Sequence, residues 1–164
     1  MKKSALFITQ AAMIAALYVV LTVFINAFNL ASGAIQIRIS EALTILPYFT
    51  PAAIPGVFVG CLISNIVTGC MPMDVVFGSL ATLIGAVGTY LLRNYKFAAP
   101  IPPILANMAI IPFVLMYVYN VPDAYWFLVL TIGVGEVISC GVLGMLLLFA
   151  IEPYEEVLFR RNQA

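Results

Sequence analysis

The chain alternates long apolar runs with short polar breaks. Four runs, residues 5–28, 75–92, 101–119 and 124–151, are long enough to cross a bilayer as helices. A spanning helix needs about 17–25 predominantly apolar residues, so the last run is expected to tilt or to project past the bilayer. Residues 41–70 are harder to assign. Pro47, Pro51 and Pro55 recur four apart, and each removes a backbone donor and disfavours helix in the residue before it. The region is either one kinked span or two segments, 41–49 and 54–69.

Charge separates the two. With one span there are five helices, and an inside N-terminus puts Arg93, Lys96, Arg160 and Arg161 outside, against the tendency of basic residues to stay in the cytoplasm. With two there are six helices, and those four join Lys2 and Lys3 inside, leaving Arg38 as the only basic residue outside. The expected fold is all-α: one six-helix transmembrane domain over residues 1–164, with a short second helix and both termini cytoplasmic. Outer loops then fall at 29–40, 70–74 and 120–123. Tyr117, Tyr119, Tyr125 and Trp126 form an outer aromatic belt, and Tyr90 and Tyr95 an inner one.

Composition agrees with this reading. The chain is 64% hydrophobic and 9% charged, with a mean hydropathy of +1.13, whereas soluble domains carry about 25% charged residues. Seven basic residues balance seven acidic ones, so there is no basic face of the kind nucleic acid requires. Cys61, Cys70 and Cys140 with no histidine provide neither a disulfide framework nor zinc-site spacing; no metal and no cofactor are expected. Lysines before the first run suggest a signal peptide, but that run exceeds the about 7–15 residues of a secretory apolar core, so a retained first helix is expected. G-x-S-x-G, H-E-x-x-H and Walker A patterns are all absent, which argues against an enzyme and against ATP hydrolysis by this chain.

The informative residues are polar groups inside apolar runs, because an ionisable group in the membrane is costly and is kept for a reason. Glu136 lies twelve residues after Ala124, about 18 Å down a helix and near mid-bilayer; Gly133, Ser139 and Cys140 share its face. Asn107, thirteen residues before Asn120, reaches a similar depth, about 20 Å from its outer end. Asn65 lies higher. Either asparagine could instead glue helices together. Asp74 opens the fourth helix, where a carboxylate also complements the helix dipole. Glu41 falls in the first turn of the second helix, with Ser40 as a plausible N-cap. Ile35, Ile37 and Ile39 alternate with Gln36, Arg38 and Ser40, a period-two pattern that predicts an extended segment. Asn26 and Asn29 are expected to close the first helix. Together the polar groups outline a pocket that opens outward. On the first helix, Ala11 and Ala15, or Ala12 and Ala16, form a small-xxx-small surface for another helix, in this chain or in a partner.

The segments IQIRISEALTILPYFTPAAIPG, DVVFGSLATL, PPILANMAI and GEVISCGVLG, in that order over nearly the whole chain, resemble the QueT family, the queuosine-precursor substrate-binding (S) components of energy-coupling factor transporters. The resemblance implies a multi-pass protein of the bacterial plasma membrane that binds a 7-deazaguanine, such as 7-aminomethyl-7-deazaguanine or queuine, from outside. It implies partners too: a transmembrane T subunit, docked on one alanine register, and two ATPases that drive release inside. The loop containing Arg38 would be a lid, with Arg38 pairing with Glu41 to order it. Glu136 would accept the donors of the base edge and Asp74 or Glu41 would meet the ammonium. Asn65 and Asn107 would pair with the remaining ring atoms, and Tyr48 or Phe77 would stack on the ring. The alternatives are a stand-alone proton-coupled carrier for a small cationic or purine-like solute, with Glu136 as its proton site, and a non-transport accessory subunit.

Overall fold

The computed structural model describes residues 2–27 and 38–159, which form helices and turns with no strand among them. Helix α1 (Lys2–Ala27) is followed by a 3-10 helix (Ile39–Tyr48), then α2 (Ala53–Val67), α3 (Pro72–Leu91) and α4 (Ile101–Tyr117). The last long element is continuous: α5 (Tyr125–Glu136), a π-helical stretch (Val137–Leu143) and α6 (Gly144–Ile151). A short α7 (Glu155–Leu158) ends the described chain. Four helical stretches are long and apolar enough to cross a membrane, and α2 is a shorter apolar helix. The protein is a multi-pass membrane protein.

The prolines divide residues 41–70 in two, as their spacing predicts. The first segment is a 3-10 helix with Pro47 inside it, buried from Ser40 to Pro47. Its ten residues rise about 20 Å at 3-10 geometry, short of the about 30 Å hydrocarbon thickness. Such helices rarely exceed 3–4 residues, so packing on every side must hold this one. Pro55 falls in the first turn of α2, where a missing N–H costs nothing; Pro72 opens α3 in the same way.

Two expectations for this segment are corrected. Ser40 is not an N-cap: the 3-10 helix begins at Ile39 without a side-chain cap, and Ser40 Oγ instead accepts a 2.8 Å hydrogen bond from Thr22 on α1. The extended conformation holds at Arg38, whose φ and ψ are −105° and 92°, but Ile39 and Ser40 are already helical. Ile35, Gln36, Ile37, Asn29, Arg160 and Arg161 lie outside the described residues.

Small residues set the helix spacing. A Cβ at Gly56 would stand 2.9 Å from the Ala11 carbonyl oxygen, and one at Gly60 would stand 2.7 Å from Tyr18 Cβ and 3.0 Å from the Ala15 carbonyl oxygen. Only hydrogen at both positions lets α1 and α2 approach this closely. Gly85 meets the Pro103 backbone in the same way and brings α3 against α4. The core that results joins Ile14 and Tyr18 of α1 to Leu43 and Leu46 of the 3-10 helix and to Val57 and Cys61 of α2.

Polar contacts tie one end of the bundle together. Gln10 near the start of α1 donates to the Leu158 carbonyl at 3.3 Å, and Lys96 in the α3–α4 turn pairs with Glu152 at 2.5 Å. The start of α1, the α3–α4 turn and the end of the chain therefore share one end. Asn65, Asp74 and Tyr119 lie toward the other.

Candidate functional site

A cavity of about 430 Å³ occupies that second end. Its walls come from the end of α1 (Thr22, Ile25, Asn26), the approach to the 3-10 helix (Arg38, Ile39, Ser40), the end of α2 (Asn65, Thr68), Asp74 of α3 and the α4 end (Ile111, Leu115, Tyr119). Its volume lies within the range of small-molecule sites, roughly 300–1,000 Å³. Below it is a space of about 10 Å³ lined by Arg38, Asn107, Ile111, Ile132 and Glu136. Arg38 and Ile111 line both, so they form the partition between the wide cavity and the acids beneath it.

Beneath the partition, carboxylate oxygens of Glu41 and Glu136 and the Cys140 sulfur lie within 4.8 Å of one another, all buried. The 3-10 helix carries Glu41 and the end of α5 carries Glu136. Tyr18 donates to Glu41 Oε1 in a short hydrogen bond, and Thr82 is 3.5 Å from the same oxygen. Cys140 sits 3.2 Å from Glu136 Oε2 and 3.5 Å from the Glu41 carbonyl. The thiol thus stands where it can donate to oxygen acceptors rather than serve as an anionic metal ligand. Asn107 lies beside both carboxylates.

Three buried polar atoms in this region have no hydrogen-bond partner: Glu41 Oε2, Asn107 Nδ2 and Ser139 Oγ. An unpaired buried polar group costs about 1–3 kcal/mol. A free acceptor on the Glu41 carboxylate beside a free amide donor suits a molecule that presents an N–H group next to a carbonyl oxygen.

Higher in the cavity, Tyr119 donates to Asp74 Oδ2 at 2.9 Å and accepts from the Met71 N–H at 3.2 Å. Burial pushes the Tyr119 phenol up to about 12, and the neighbouring Asp74 carboxylate acts in the same direction. Asn65 Nδ2 and Asp74 Oδ1 both flank Gly78, 3.2 and 3.4 Å from where its Cβ would stand.

A family model described as the QueT transporter matches residues 8–153. The chain belongs to the QueT transporter family. A relative named Queuosine precursor transporter QueT, from Lactococcus lactis subsp. cremoris (strain MG1363), is 38% identical over 98 residues. That match covers 58% of this chain and 57% of the relative. No solved structure matches.

In this QueT family member the fold assembles most of the residues that stand out in the sequence. Glu41, Asn107 and Glu136 meet below the partition; Arg38 forms it; Asn65 and Asp74 stand above. Two residues are not brought to the site. Tyr48, at the far end of the 3-10 helix, packs against the Ile45, Ala99 and Leu148 cluster and edge-on to Phe49. Phe77 faces an apolar groove between α3 and α4 with Met73 and Phe113. Neither lines either space. The expected Arg38–Glu41 side-chain ion pair does not form among the described residues; the Glu41 N–H instead donates to the Arg38 carbonyl at 2.9 Å. Asn26 is a wall residue as well as a helix-end residue.

Tyr18, Thr22, Thr82 and Tyr119 are contributors that the linear pattern does not single out. Tyr18 and Thr82 are nearly fully buried, and a hydroxyl within an apolar helix is the signal that could have marked them.

Proposed function

We propose that this chain is the substrate-binding subunit of an energy-coupling factor importer and that it binds a 7-deazaguanine bearing an aminomethyl group. One observation carries the reading: a free acceptor on Glu41 and a free amide donor on Asn107, beside Glu136, lie beneath the Arg38–Ile111 partition under a cavity large enough for a base. A guanine-type edge offers two adjacent N–H donors and a neighbouring carbonyl acceptor. The carboxylates of Glu136 and Glu41 take the donors and Asn107 Nδ2 takes the carbonyl. The cationic arm then points up toward Asp74 and Asn65. The name of the Lactococcus relative supports a queuosine precursor as cargo, and its source supports a bacterial plasma membrane.

The transport role follows from the same set of features. The chain crosses the membrane six times, counting the 3-10 helix, with both termini cytoplasmic. The shared end of the α1 start, the α3–α4 turn and the last helix supports this, since it gathers Arg93 and Lys96 on one side. No nucleotide-binding motif is present in the sequence, so a T subunit and two ATPases supply the energy. The T subunit docks on Ala12 and Ala16, which are exposed. The other register, Ala11 and Ala15, packs inside the chain against Gly56 and Gly60.

Isothermal titration of the purified chain in detergent with 7-aminomethyl-7-deazaguanine, and with guanine and riboflavin as controls, tests the reading. Saturable binding of the deazaguanine alone supports a self-sufficient binding subunit. No heat from any of the three overturns it.

A further inference from the structure

Arg38 lines both the wide cavity above and the water-sized space below, whose walls also include Glu136 and Asn107. Its charge acts on both Glu41 and Glu136. Yet among the described residues it forms no ion pair with either; the one such pair is Lys96–Glu152. Glu41 Oε2 and Asn107 Nδ2 stay unpartnered beneath it, with Glu41 1% and Asn107 3% exposed. A cation held over two buried carboxylates without contacting them supplies counter-charge and leaves their hydrogen-bonding capacity free.

A guanidinium and the guanine edge are chemically alike on one side, each a planar fork of parallel N–H donors that fits a carboxylate. They differ in one respect: the guanidinium has no acceptor, so it cannot satisfy Asn107 Nδ2, whereas the carbonyl beside the guanine edge can.

We propose that Arg38 is a resident counter-charge that holds the place of the ligand's edge without taking its hydrogen bonds, standing between the wide cavity and the Glu41–Glu136–Asn107 cluster when the site is empty and leaving when the base enters. The inference deepens the functional reading above and rests on it for the identity of the ligand. Asn107 favours the exchange, because the base offers its amide a carbonyl acceptor that the guanidinium lacks. The ligand's donors then face the acids directly, and its ammonium, directed toward Asp74, keeps a positive charge in the cavity above them. Arg38 therefore lowers apparent affinity by limiting the binding-competent population, the reverse of a residue that clamps the ligand in place.

The test uses the full chain in detergent with Arg38→Ala and Arg38→Lys, the second in case the first does not fold. Deazaguanine association is followed by stopped flow, and thermal unfolding is followed with and without millimolar guanidinium chloride. Expected is association several-fold faster in both variants than in the natural chain, with affinity equal or tighter. Guanidinium should raise the melting temperature of Arg38→Ala and slow its ligand association, with little effect on the natural chain. Weaker affinity with faster ligand release in the variants would mean that Arg38 clamps the ligand, and would overturn the proposal. If the natural chain binds no deazaguanine, the functional reading fails; guanidinium rescue of Arg38→Ala then still supports the placeholder role, and its absence overturns it.

Discussion

In the proposed site Glu41 and Glu136 are the acids that would take the ligand's donors, and they have different supports. Glu41 is fixed by Tyr18 on Oε1 and open on Oε2, whereas Glu136 has the Cys140 thiol as its neighbour. Hydrogen bonds to charged groups are worth about 1.5–3 kcal/mol, or roughly 10- to 100-fold in affinity. Glu136→Gln and Glu41→Gln should each weaken deazaguanine binding by about that factor, and the double variant should lose less than the product because the two share one network. Titration of the three variants checks both statements, and unchanged affinity in Glu136→Gln would remove it from the site. Tyr119 gives a different expectation. Its phenol sits at about 12 in the folded protein, against an ordinary value of about 10. A raised folded value means that the neutral, donating form is favoured: the contribution is complete below about 10 and is lost as pH rises toward about 12. The clasp to Asp74 should hold unchanged from neutral pH into the mildly alkaline range, and Tyr119→Phe should abolish any stability loss specific to the pH 10–12 window in thermal melts.

At the scale of elements, the 3-10 helix decides where the site forms. It carries Glu41 into the middle of the bundle, and Thr44, one 3-10 turn on, is 3.5 Å from Cys140 in the π-helical stretch. Two irregular helices thus face each other beside the acids, and neither is a regular α-helix that could be drawn from apolar periodicity. What holds the 3-10 helix in place is the close α1–α2 pair, because Tyr18, which bonds Glu41, sits directly on Gly60. Gly60→Val would force its side chain onto Tyr18 Cβ and the Ala15 backbone. Overpacking of this kind costs about 1–3 kcal/mol, and here it should also displace Tyr18 from Glu41. The expected result is a lower melting temperature together with weaker ligand binding, measured on the same preparation. A stable protein with full affinity would show that α1 can shift without disturbing the acid.

For the whole molecule, the two alanine registers have different surroundings. Ala15 is buried against α2, whereas Ala12 and Ala16 are exposed beside the exposed Met13, Leu17 and Val20. Ala16→Trp should leave the melting temperature and ligand affinity of the isolated chain near those of the natural protein. In cells that supply the T subunit and ATPases, it should abolish deazaguanine uptake, because a bulky side chain keeps another helix from approaching. Transport assays paired with titration distinguish this from a folding defect. Uptake that continues without any partner subunit would favour the stand-alone carrier.

The apolar runs alone determined the long helices, and three prolines at four-residue spacing left residues 41–70 as one kinked span or two segments, of which the placement of basic residues chose two; burial in lipid, a missing backbone donor and charge placement act on the sequence directly. Glu136 and Asn107 were legible as a pair for the same reason: helical rise converts sequence distance into membrane depth. Only the tertiary structure decided that Glu41 joins them rather than capping a helix, that Arg38 stands over the acids rather than pairing with Glu41, and that Tyr48 and Phe77 face elsewhere. Which alanine pair packs inside the chain and which stays exposed was of the same kind. Depth follows from position along one helix, but the direction a side chain faces depends on the rotation of that helix against its neighbours. That rotation is set by close contacts such as Gly60 on Tyr18, which no single segment contains.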